Sequence, residues 1–277
     1  MLLAACARPA PPRPPAPSIP VESEFRVRDA NLGNGITVRL EIPTGVTGPV
    51  PAVITQIAES ADVRAAGMIA VSYADWRGAP SPPPSTQTVG KLVLASPSPG
   101  VLGRHYLQGI AATGTDAIPR VVDYLASVPE VDARRLGITG ASTNGFSALQ
   151  AVAAERRLAV AVAAFTCGDY FRFLQDSSMG MEGAPLALDR DYAAWLHAQQ
   201  PIDHPDRLVH AAILLIAGTQ DTLIPYSCAN STATVLRRAY AAAKAPERFR
   251  FITVEKGHGL DANDRKEAVA WLVRWLS

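Results

Sequence analysis

No stretch of this 277-residue chain holds the roughly 18 consecutive apolar residues that a bilayer-spanning helix requires, so the sequence offers no membrane crossing. It also lacks an excess of either charge. With 26 Lys and Arg against 25 Asp and Glu the net charge is +1, which gives no electrostatic reason to expect nucleic acid as a partner. Histidine is scarce. His197, His204 and His210 gather near Asp203 and Asp206, but no His-x₃-His pair shares a helix face, so no metal and no cofactor is expected. Only three cysteines occur: Cys6, Cys167 and Cys228. Nothing in the sequence sets the distance between the last two; pairing in an oxidising compartment stays open, and two buried free thiols are the expectation. No internal repeat is visible. What the chain does have is 48% hydrophobic and 18% charged residues, a globular rather than a disordered composition, and enough length for one large domain with an ample core.

The first 20 residues read differently from the rest. "MLLAAC" is a short apolar stub, and Leu3-Ala4-Ala5-Cys6 resembles the lipobox of bacterial lipoproteins, in which the cysteine carries the lipid. The charged and longer apolar regions of a complete signal are missing from it. The proline-dense segment Arg8 to Pro20 favours an extended, unpacked chain that would act as a tether. The expectation is a lipid anchor at Cys6 and a cell-envelope or secreted bacterial protein. Residues 1–20 would be signal remnant and tether, and 21–277 one catalytic domain.

From Glu24 the pattern becomes regular. Ile36, Val38, Leu40 and Ile42 alternate with Thr37, Arg39 and Glu41 after Asn34-Gly35, which predicts an antiparallel hairpin. Short apolar runs follow: "PAVIT", "MIAVSY", "RLGIT", "LAVAVAAF", "AAILLIAG" and "FRFITVE". Helical spacing separates them over Asn144–Glu155, Ser231–Ala243 and Asp264–Leu276. A further helix is expected from Leu107 to Val128, irregular at Pro119, and a patternless loop from about Trp76 to Arg104. Strands alternating with helices imply a mostly parallel sheet covered on both faces.

In such a sheet ligands bind beyond the carboxyl ends of the strands. Past "RLGIT" stands Gly140-Ala141-Ser142-Thr143-Asn144-Gly145; past "AAILLIAG" stands Asp221; past "FRFITVE" stands His258. A serine that only capped a helix would need no glycine two residues before it. A serine hydroxyl is a weak nucleophile unless a base takes its proton, a role for His258, and Asp221 would fix the imidazole tautomer. The order Ser, Asp, His and the serine corner resemble the α/β-hydrolase superfamily, most closely its dienelactone-hydrolase and prolyl-oligopeptidase-like esterases, over about Glu24 to Ser277. The resemblance implies an α/β-hydrolase fold with an N-terminal antiparallel hairpin. It also implies an oxyanion hole made by the N–H of Thr143 and a second donor around Gln56–Ile57. Asn144 stands where the superfamily usually has glycine; glucuronoyl esterases carry a similar Ser-x-Asn-Gly corner, and a local hydrogen bond from the Asn144 amide is expected.

The reading is a serine hydrolase that cleaves a carboxylic ester, on a small molecule or borne by a polymer, through an acyl-enzyme. Trp76, Tyr170, Phe171 and Trp195 could wall the substrate pocket, or the last three could bury a small helical excursion against the sheet. The alternatives are a prolyl-oligopeptidase-type peptidase or amidase, a glucuronoyl or acyl carbohydrate esterase, and a non-catalytic surface binding protein of the same fold.

Overall fold

The computed structural model describes residues 24–55, 60–75, 86–89, 92–95, 99–180, 188 and 190–277. The hairpin forms at the expected place: β1 (Phe25–Gly33) and β2 (Ile36–Pro43) pair antiparallel around Asn34-Gly35, both with positive φ. Ile36, Val38, Leu40 and Ile42 all face the core, so the period-2 pattern sets which side of β2 is buried. The chain continues through β3 (Val50–Ile54), α1 (Ser60–Ala65) and β4 (Ile69–Asp75). The stretch read as a patternless loop instead contains β5 (Thr86–Val89) and β6 (Leu92–Ala95), a separate antiparallel pair, and α2 begins at Pro99 and runs to Ala112. Strands of four residues are too short to display a period.

The helix expected over 107–128 is divided. A π turn over Thr113–Ala117 joins α2 to α3 (Ile118–Ser127), so the irregularity expected at Pro119 appears as a local change of helix pitch just before it, with Pro119 in the first turn of α3. The remaining elements are β7 (Val131–Ala141), α4 (Thr143–Ala154), β8 (Leu158–Ala164), α5 (Tyr170–Asp176), α6 (Arg190–Gln199), β9 (Ala212–Gly218), α7 (Tyr226–Ala242), β10 (Phe249–Val254) and α8 (Ala262–Leu276).

The main sheet has the order β1-β2-β4-β3-β7-β8-β9-β10, with every pair from β4 to β10 parallel. Alternation along one strand explains why both faces are covered. Ile213 and Leu215 of β9 pack in the cluster that includes Val121, Leu149 and Leu236. Leu214 and Ile216 pack in the opposite one with Val63, Trp271 and Leu272. Each fully buried aliphatic side chain of this kind contributes about 1.5–3 kcal/mol. A third apolar cluster lies over one end of the sheet, where Leu107, Phe146, Tyr170, Phe173, Tyr192 and Ile224 meet. The sheet therefore brings the ends of β7, β8, β9 and β10 side by side.

Candidate active site

Ser142 follows β7 with φ 54° and ψ −125°, left-handed backbone that a non-glycine residue holds at a cost of order 1–3 kcal/mol. Hydrogen bonds impose it: the Ser142 N–H donates to Ala164 O at 2.9 Å, and its carbonyl accepts from Gly145 N and Phe146 N at 2.9 and 3.1 Å. The side chain makes no capping bond to α4. The helix folds straight back over the strand, which two glycines permit. A Cβ on Gly140 would stand 2.2 Å from Asn144 O, and one on Gly145 would stand 2.8 Å from Thr166 Cβ. The tight approach that a glycine normally meets two residues after the serine thus falls one residue later, at Gly145. Asn144 itself is exposed, and its amide makes no hydrogen bond to a described residue, contrary to expectation. It lines an open cavity of about 480 Å³ together with Thr55, Tyr73, Thr113 and Thr139.

Asp221 lies in the turn after β9 and is 5% exposed. Its Oδ1 accepts the N–H groups of Leu223 and Ile224 at 3.0 and 2.9 Å, and its Oδ2 lies 2.7 Å from His258 Nδ1. Two backbone donors on one oxygen keep the carboxylate aimed, leaving the other for the imidazole. A proton on Nδ1 shared with the carboxylate leaves Nε2 as the basic nitrogen. The loop that carries His258 is clamped at its base: Lys256 Nζ pairs with Asp261 at 2.7 Å and with Asp264. Those two acids also form the capping box of α8.

Ser142 and His258 are not hydrogen-bonded in this structure, so it joins two of the three expected side chains directly and places the third on the same sheet edge. Phe165, which follows the Ala164 whose carbonyl accepts the Ser142 N–H, meets the imidazole edge-on, with centroids 5.8 Å apart. In unliganded sites such contacts are often long and tighten on substrate binding.

Thr143 is exposed at the first position of α4, and its Oγ1 lies 2.8 Å from the Tyr106 hydroxyl. Burial pushes the Tyr106 hydroxyl pKa up, opposed by that hydrogen bond. Neither Tyr106, which touches Thr143, nor Phe165, which touches His258, stands out in the sequence: the first lies on a helix after a stretch without pattern, and the second ends an ordinary apolar run.

Gln56, Ile57, Trp76 and Cys6 lie outside the described residues. Tyr170 must be corrected as a pocket wall. It is 0% exposed, its hydroxyl accepts from Gln150 Nε2 at 2.7 Å, and its N–H donates to Gln200 Oε1 at 3.0 Å. A side chain sealed in a core offers no surface to a ligand. Phe171 packs tilted on His197 at 4.6 Å and Trp195 stacks on Tyr192 at 5.7 Å, so both make ring contacts within the α5–α6 excursion.

The expectation of free thiols is also corrected: Cys167 and Cys228 form a disulfide, because the turn after β8 runs alongside the first turns of α7. His197 pairs with Asp203 at 2.6 Å, and His204 Nε2 lies 3.1 Å from the His197 carbonyl. No group of three metal-ligating side chains occurs among the described residues, nor any helix long and apolar enough to cross a membrane.

A mostly parallel sheet with a strained serine corner and an acid–imidazole pair on the same edge defines an α/β-hydrolase. The model of the prolyl oligopeptidase family matches residues 112–277, and the model described as glucuronyl esterase, fungi, matches residues 26–170. Each match spans more than half of the chain, and the protein belongs to these two overlapping families of hydrolases.

Solved structures agree on the fold. TT1662 from Thermus thermophilus has a TM-score of 0.66 at 17% identity, covering 92% of this chain and 99% of that one. A glucuronoyl esterase from Solibacter usitatus gives 0.61 at 14% identity, covering 94% and 88%. Acetyl xylan esterase 1 from Thermoanaerobacterium sp. JW/SL YS485 gives 0.56 at 16% identity, covering 93% and 89%. No curated protein sequence matches the chain.

Proposed function

We propose that the protein is a serine carboxylic-ester hydrolase, with Ser142 as nucleophile, His258 as general base and acid, and Asp221 as the residue that orients the imidazole. The observation that carries the reading is the 2.7 Å contact between His258 Nδ1 and a carboxylate otherwise satisfied by two backbone donors, on the sheet edge that bears the strained serine. Ser142 Oγ attacks the ester carbonyl carbon while His258 Nε2 takes the hydroxyl proton. The carbonyl oxygen becomes an oxyanion facing the Thr143 N–H at the positive end of the α4 dipole. Collapse breaks the bond to the alkoxide, which leaves with the proton from His258. Water, deprotonated by the same imidazole, then releases the acid and restores the serine.

Among ester substrates, an acyl ester on a carbohydrate is the reading best supported, because the glucuronyl esterase match covers the serine corner and includes Asn144-Gly145. The prolyl oligopeptidase match supports a second reading, an amidase or peptidase. For an exported, Cys6-anchored protein the support is the Cys167–Cys228 disulfide, a bond that persists in oxidising compartments.

A fluorophosphonate probe should label the wild type and not Ser142→Ala; labelling of neither would mean that the serine is not activated and would favour a binding protein. p-Nitrophenyl acetate, methyl glucuronate esters and acetylated xylan, set beside aminoacyl-p-nitroanilides, separate the ester from the amide reading.

A further inference from the structure

We propose that Phe165 is a positioning residue that sets the plane of the His258 imidazole, an inference that rests on His258 being the base. Phe165 has φ 48°, left-handed backbone in a bulky aromatic residue. Strain of that kind persists only where the surroundings impose it. Its N–H donates to Ile216 O at 2.7 Å, so the backbone at the end of β8 is pinned to β9. The ring is 1% exposed and wedged in a slot. His258 meets it edge-on with an interplanar angle of 76°, and the Lys256 ammonium stands 5.3 Å from its centroid. A Cβ on Gly218 would come within 3.2 Å of its Cε1.

The physical need for such a wedge follows from what the Asp221 bond leaves free. A single hydrogen bond fixes one atom of the imidazole, Nδ1, and the ring can still swing about the line from Nδ1 to the carboxylate. That swing carries Nε2 toward or away from Ser142. The Lys256 clamp fixes the loop backbone rather than the ring. Phe165 is the described side chain in ring-to-ring contact with the imidazole, and it supplies the missing restraint.

The disulfide joins the two halves of this arrangement. Cys167 lies two residues after Phe165, and Cys228 lies seven residues after Asp221. The segment bearing the wedge is therefore covalently tied to the segment bearing the carboxylate.

The test uses the full chain with Phe165→Leu and Phe165→Met, which keep an apolar side chain and lose the flat ring. Should the leucine variant fail to fold, the methionine variant, closer in volume, carries the test. Three quantities are read: kcat and KM on p-nitrophenyl acetate, the melting temperature, and the downfield Nδ1 proton resonance of His258, assigned by its loss in His258→Ala. The expected result is a kcat lower by about 10- to 100-fold, the scale of a misplaced catalytic group, with KM within about twofold. The His258 resonance should broaden or shift in the folded variant. A raised KM with unchanged kcat would make the ring a substrate wall and overturn the proposal. A lowered melting temperature with wild-type kcat per folded molecule and an unchanged resonance would make it ordinary core packing, with the same consequence. The resonance needs no turnover: a wild type that cleaves no ester overturns the enzyme reading, while the resonance still reports whether Phe165 holds the imidazole.

Discussion

Replacing Cys167 and Cys228 together by alanine removes a cross-link between residues 61 apart in sequence. In the chain-entropy treatment a closed loop of that length restricts the unfolded chain by about 14 cal/mol/K, or about 4 kcal/mol at 25 °C. The native state should keep its shape without the bridge, because both cysteines sit in an apolar cluster with Tyr170, Phe173 and Ile224 that alanine can still join. The loss should therefore act mainly through the unfolded state. At about 2–4 °C per kcal/mol for a protein of this size, the double variant should melt about 8–16 °C below the oxidised wild type. Thermal unfolding followed by circular dichroism measures this directly. Wild-type protein reduced while unfolded, and refolded with reductant present, should melt close to the double variant. Melting temperatures for oxidised wild type and double variant within about 2 °C of each other would refute the reasoning, since the bridge would then constrain nothing that the packed cluster does not. The same result would remove the structural support for folding in an oxidising compartment.

Asp221→Asn should lower kcat by roughly 10⁴-fold, as a comparable acid-to-amide change does in a protease triad, with little change in stability; a loss below tenfold in an ester-hydrolysis assay would speak against its orienting role. Gly140→Ala should cost about 1–3 kcal/mol or more and most activity, because its Cβ would meet the Asn144 carbonyl at 2.2 Å and α4 cannot move without moving Ser142; near-wild-type urea unfolding would contradict this corner geometry. The hydrogen bonds from Arg157 hold the Glu155 carboxyl below its usual range, so this stability is fully present above the ordinary glutamate value and disappears as pH falls through the folded one. Arg157→Met should accordingly melt below wild type at pH 7, with the gap closing as pH falls below the ordinary glutamate value; a gap that stays constant with pH would show that the pair adds no linked stability.

The placement of the candidate site residues was legible in the sequence because this fold sets turns where apolar runs stop. Ser142, Asp221 and His258 each stand within a few residues of the end of a strand, buried for β7 and β9 and at the sheet margin for β10, and parallel neighbours bring those ends to one edge. The hairpin and the central strands were legible for a similar reason: a period of two or an unbroken apolar run is imposed by burial and survives changes elsewhere. What the sequence hid depends on meetings between distant segments. Nothing in the spacing of Cys167 and Cys228 reveals that the β8 turn and α7 run side by side. Tyr170 looked like a ligand-facing aromatic because a strand-end position says nothing about the helices that later cover it. Phe165 shows the limit most plainly. As the last letter of "LAVAVAAF" it is one more apolar residue, and only the left-handed backbone and the imidazole beside it distinguish it from the core. The proposed reacting groups follow a local grammar, since each stands in a turn that leaves the sheet. The groups that aim them need only proximity, and proximity is written in the fold rather than in the run of residues.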